Sequence, residues 1–131
     1  MKGNKIKKEN VLEINNKLRS LGLNFRLKGT KLLNKTIQII ITSGDEFYVL
    51  EDVFDELIKI YPSFNKVQIR MSIKYALDHR NEILSEKNFS KIFGFEYDIN
   101  IFCTKNFIDE FINVIVNTKF DINNIKVYKQ R

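Results

Sequence analysis

The stretch 50-LEDVFDELIKIYPSFNKVQIRMSIKYALDHRN-81 decides how this chain is read. Leu50, Val53, Phe54, Leu57 and Ile58 recur at helical spacing, with Glu51, Asp52, Asp55 and Glu56 between them, which predicts an amphipathic helix over about 47–60. The acids read as a solvated face that suits a helix N-terminus rather than as a catalytic pair. Pro62, the only proline, cannot continue that helix and pushes Tyr61 out of helical geometry. Beyond it, Ser63 or Asn65 can cap a new helix, and Asn65 has Gln68 three positions on, in the pattern of a capping box. Ile69, Ser72, Ile73, Ala76 and Leu77 then form a second apolar stripe running to about Asn81. Two helices joined by so short a break make a helix-turn-helix arrangement.

Outward from this stretch the pattern stays helical. Val11, Ile14, Leu18 and Leu21 predict a first helix from Asn10, closed by Gly22. Leu23–Leu27 alternates apolar and polar residues and reads as a short extended piece. Thr30 is then expected to cap a second helix with Leu32, Leu33, Ile37, Ile40 and Ile41 inward. A short helix is expected at 86–92, closed by Gly94. A last one is expected at 105–118, burying Phe107, Ile108, Phe111, Ile112, Ile115 and Val116. The expectation is an all-α, six-helix domain over 10–120, flanked by a basic flexible tail at 1–9 and a polar, frayed or weakly strand-like tail at 121–131.

Composition narrows the function. No apolar run approaches the 18 or more residues of a membrane span, and the basic start lacks the apolar segment of a signal peptide, so a cytoplasmic protein without membrane association is expected. One cysteine and one histidine supply neither a disulfide nor a metal-ligand set, and no nucleophile, base and oxyanion donor converge, so neither enzyme activity, metal nor cofactor is expected. Cys103, after Ile101 and Phe102, reads as a small buried hydrophobe, and His79 as a surface or capping residue at a helix end. The formal charge is +6, concentrated in residues 1–31, with nine Lys/Arg against two Glu, and in 61–80, with four against one. Such an excess can attract phosphate backbones or simply keep a protein soluble.

The helix after Pro62 carries the chemistry that suits this charge. Val67, Met71, Lys74, Tyr75 and Asp78 fall opposite its core stripe, and Lys66, Gln68 and Arg70 flank its start. Lysine and arginine neutralise phosphates, Gln and Arg pair with the edges of adenine and guanine, and Met or Tyr can touch a thymine methyl.

The same stations resemble the C-terminal effector domain of the sporulation master response regulator of Bacillus and Clostridium, the stage zero sporulation protein A family. The likeness runs from about Ile14 to Ile115. It comprises Leu21-Gly22 and Leu27-Lys28-Gly29, Leu32 and Leu33 followed by Thr36-Ile37, Leu57-Ile58-Lys59, Ser72 to Asp78, Ile92-Phe93-Gly94-Phe95, and Thr104-Lys105-Asn106 before Phe111-Ile112. The resemblance implies six helices and a helix-turn-helix that reads short DNA boxes, often through tandem copies. It also shows departures. Where the family has Val-Glu-Arg this chain reads Ile69-Arg70-Met71, and Lys74-Tyr75 stands in place of Arg-His, so the resemblance carries over phosphate contact but not the base code. The few residues before the first helix leave no room for the family's receiver domain, so an effector without phosphorylation control is expected.

The reading at this point is a DNA-binding transcriptional regulator whose partner is double-stranded DNA, bound alone or as a tandem or dimer. Lys66, Gln68, Arg70, Met71, Lys74 and Tyr75 would face the major groove, and Arg26, Lys28 and Lys31 the phosphates. The alternative is a module that lost DNA reading and binds another transcription regulator, for which Met71 in the place of a guanine-reading arginine is the motive.

Overall fold

The computed structural model describes residues 8–45 and 47–123, and over these the chain forms six α-helices and one 3-10 turn, with no strand. The helices are α1 (Lys8–Ser20), α2 (Lys28–Ser43), α3 (Leu50–Ile60), α4 (Lys66–Asp78), α5 (Glu82–Phe93) and α6 (Thr104–Asn123). The all-α, six-helix expectation therefore holds. The expected tails fall largely outside the described residues, although Lys8 and Glu9 already belong to α1 and Asp121–Asn123 to α6.

The apolar stripes read from periodicity are the core. Ile14, Leu18 and Leu21 of the first segment, Leu32, Leu33, Ile37 and Ile40 of α2, Val53, Phe54 and Leu57 of α3, and Ile69, Ile73, Ala76 and Leu77 of α4 are all buried. From α6, Phe107, Ile108, Phe111 and Ile115 are buried, whereas Val116, expected inward, is 47% exposed. The stripe on α6 is narrower at that level than its sequence suggests.

The most extensive helix pair is α2 with α4, with α3 packed on both and α6 against α2, α4 and α5. Gly29 sets this geometry. A Cβ there would lie 2.5 Å from the Ser72 carbonyl carbon and 3.0 Å from the Ala76 Cβ, so two helix backbones touch where only a hydrogen fits. A second close approach joins α1 to the start of α5: Gly22, at φ 95°, accepts a hydrogen bond from the Asn81 N–H, and a Cβ there would collide with the Asn81 backbone.

Several boundaries differ from expectation, each for a tertiary reason. Leu23–Leu27 is not extended throughout: a turn at Phe25 and Arg26 brings the Leu27 N–H to the Asn24 carbonyl, and Leu27 itself is extended. Thr30 is not the cap of α2. Leu27 stands at the N-cap position without a side-chain cap, and Thr30 is buried inside the first turn, its Oγ1 without a partner among the described residues, next to Gly29 where α2 meets α4. Helix α3 starts at Leu50 rather than 47, since Tyr48 is drawn out to donate its hydroxyl proton to Asp109 on α6. Burial and that carboxylate push the Tyr48 phenol well above its ordinary pKa. Helix α4 ends at Asp78, not Asn81, and α5 starts at Glu82 rather than 86. Asn81 caps α5 by accepting from the Leu84 N–H while its own N–H is held by Gly22. Helix α6 runs on to Asn123, beyond the expected end at 118. Cys103, expected buried, is exposed and approaches the Asn100 carbonyl.

Beneath α5 and α6 lies an aromatic cluster that periodicity did not reveal. The Phe89 ring sits 4.6 Å from Phe93, 5.4 Å from Phe95 and 5.3 Å from Tyr97, and Phe102 continues the cluster to Phe107. Among the described residues no helix is long and apolar enough to cross a membrane.

Candidate nucleic-acid interface

Tyr61–Asn65 connects α3 to α4, and the expected capping box forms there. The Gln68 N–H donates to Asn65 Oδ1 at 2.8 Å and the Asn65 N–H donates to Gln68 Oε1 at 2.9 Å. This end of α4 is thus rigidly started, and the carbonyl that Gln68 would need for a bidentate contact to adenine is already occupied.

The outer face of α4 lies in solvent as its spacing requires. Val67, Met71 and Tyr75 are 57%, 65% and 53% exposed and recur every four residues along one helix face. His79 closes the helix as a capping residue, its Nδ1 2.9 Å from the Tyr75 carbonyl, and its ring stacks on Tyr75 with centroids 3.8 Å apart. Tyr75 is therefore held in one orientation.

The cations named from the sequence divide into two groups. Lys66 Nζ lies 3.0 Å from Asp55 and 3.7 Å from Glu51, and Arg70 makes an ion pair with the other oxygen of Glu51. Lys74 is paired with Asp78 one turn along at 2.8 Å. The Asp55 carboxylate hydrogen-bonded to Lys66 raises that ammonium above the ordinary lysine pKa, and Asp78 does the same for Lys74. The acids of α3 are thus solvent-exposed, as expected, but Glu51 and Asp55 also reach across to the start of α4. Surface pairs of this kind contribute little to stability, yet they neutralise the charge a phosphate would meet.

Arg26, Lys28 and Lys31 form the second group, and among the described residues they have no ion-pair partner. The Gly29 contact carries the start of α2 onto the flank of α4. Arg26, Leu27, Lys28 and Gly29 there face Met71 and Tyr75 across an open cleft of about 610 Å³. Lys28 also lies 5.5 Å from the centre of the Phe64 ring, in the turn before α4. Lys31 is exposed on α2 but does not line this cleft. The structure therefore gathers four of the nine named residues, Arg26, Lys28, Met71 and Tyr75, around one feature. Lys66, Gln68, Arg70 and Lys74 are engaged within the protein, through contacts from α3 or within α4 itself.

Sequence reasoning missed the acid clamp because Glu51 and Arg70 are nineteen positions apart, beyond any helical period. Among the described residues no group of acids, histidines or cysteines is arranged to hold a metal ion. Comparison of the chain with protein-family models, curated proteins and solved structures yields no match.

Proposed function

We propose that this chain is a DNA-binding transcriptional regulator of the cytoplasm, akin to the effector domain of the sporulation regulators, that presents α4 to the major groove as the second helix of a helix-turn-helix. The observation that carries the proposal is the cleft face, where two unpaired cations border exposed apolar side chains of α4. Phosphates would engage Arg26 and Lys28, and the outer face of α4 would meet base edges. The footprint shifts toward the start of α2, because the first turn of α4 is shielded by Glu51 and Asp55.

The test is a titration against random and genome-derived duplexes at several salt concentrations, with selection of the bound sequences. An enriched motif bound roughly a thousandfold or more above bulk DNA is the expected result. Neutralising both Arg26 and Lys28 by glutamine should weaken binding and lower the slope of log K against log salt by about 2. An unchanged slope would remove these residues from the interface.

The clamp itself favours a second reading, in which the fold is kept and the partner is another regulator protein. The double substitution Glu51→Gln and Asp55→Asn distinguishes the two. For a DNA-binding protein it frees Lys66 and Arg70 and tightens duplex binding by roughly tenfold at low salt. If neither the wild type nor this variant shows salt-dependent DNA binding, the interaction-module reading stands.

A further inference from the structure

Resting on the DNA-binding reading, and deepening it, we propose that the cleft between the start of α2 and the outer face of α4 receives the 5-methyl edge of a thymine, so that Met71 and Tyr75 determine specificity.

The argument starts from what is left free on α4 to read a base. Guanine is read by a bidentate fork, but Arg70 is engaged by Glu51. Adenine is read by a carboxamide, but Gln68 uses its oxygen to accept from the Asn65 N–H. Lys74 is paired with Asp78. The apolar groups that remain presented to solvent are Val67, the Met71 thioether and the Tyr75 ring, and of these Met71 and Tyr75 line the cleft. In the major groove the thymine methyl is the one apolar feature among the four bases.

The shape of the site agrees. Leu27 and Gly29 form the opposite wall, and the missing side chain at Gly29 lets α2 approach α4 closely enough to set that wall beside Met71 and Tyr75. Arg26 and Lys28 stand at the rim, complementary to the polyanion that would carry the base. The stack of Tyr75 on His79 holds the ring in place before binding, which lowers the entropy lost when the contact forms. An apolar peptide side chain would find the same floor but no use for two unpaired cations.

The experiment replaces thymine by deoxyuridine, which removes the methyl group alone, at each thymine of the selected duplex. A loss of roughly 3- to 10-fold at one or two positions is expected, in keeping with burial of a single methyl. Met71→Ala should weaken binding to the parent duplex and erase the difference between thymine and deoxyuridine at those positions. Alanine is a good helix former and Met71 is exposed, so this variant keeps the fold, which circular dichroism checks. A protein that selects a motif but is indifferent to every methyl overturns this inference and leaves the DNA-binding reading intact. A protein that selects no motif and shows no salt-dependent binding overturns both.

Discussion

Replacing Gly29 by alanine is expected to destabilise the protein by about 3 kcal/mol, at the upper end of ordinary overpacking effects. The sign is the informative part. Gly→Ala within a helix normally stabilises by about 1 kcal/mol, because alanine gives up less backbone entropy on folding. At Gly29 the added methyl would meet the Ser72 carbonyl and the Ala76 Cβ, and the first of these is backbone that no rotamer change can move. Helices α2 and α4, the central pair of the core, have to separate to admit it. Urea denaturation should show the midpoint falling with little change in slope. The neighbouring Lys28→Ala, at an exposed position, should move stability by no more than about 0.5 kcal/mol. A Gly29→Ala midpoint at or above that of the wild type would refute the close approach of the two helices.

Arg80 has the second large effect. Its side chain is 5% exposed, and Nε donates to Ser85 Oγ at 2.8 Å, one terminal nitrogen to the Leu77 carbonyl at 2.9 Å and the other to the Tyr97 hydroxyl at 3.0 Å. The guanidinium carbon lies 3.7 Å from the centre of the Phe102 ring, and among the described residues Glu82, 3.9 Å away and itself in solvent, is its one ion-pair partner. One planar cation thus ties the end of α4 to α5 and to the aromatic segment before α6. Arg80→Ala should cost about 2 to 4 kcal/mol, through lost hydrogen bonds to a charged group and a void over Phe102. Arg80→Lys should recover only part of that, since an ammonium cannot reproduce the planar fork that serves three acceptors. Thermal unfolding of both variants checks the order. A lysine variant as stable as the wild type would show that charge alone, rather than geometry, matters there.

Neither effect is visible in the one-dimensional pattern. Gly29 stands between Lys28 and Thr30 and Arg80 beside His79, and nothing in their spacing marks either, yet Gly29 is set by contact with Ser72 and Ala76 and Arg80 by Tyr97 and Phe102 as well as its neighbours. The same cause explains the misplaced boundaries. Thr30 has the chemistry of a cap but lies under the α2–α4 contact, and Cys103 has the company of a core residue but lies at an exposed turn. What was legible was local. The stripes of α2, α3 and α4, and the capping box of Asn65 and Gln68, arise between residues three or four apart, and the structure keeps them.

The candidate site divides along the same line. Lys66, Gln68, Arg70, Met71, Lys74 and Tyr75 were assigned to the start or outer face of one helix by spacing alone, and that is where they are. Which of them are free was decided elsewhere. Glu51 and Asp55 of α3 occupy Lys66 and Arg70, while the Gly29 contact brings Arg26 and Lys28 beside Met71 and Tyr75. By itself the sequence determined the helical class, the number of helices and the inward faces, because the period of a helix is a short-range property of the backbone. The tertiary structure alone decided where helices begin, which cations remain unpaired and where the cleft opens. Those depend on how closely two backbones approach and on ion pairs between different helices, and no short-range period encodes either.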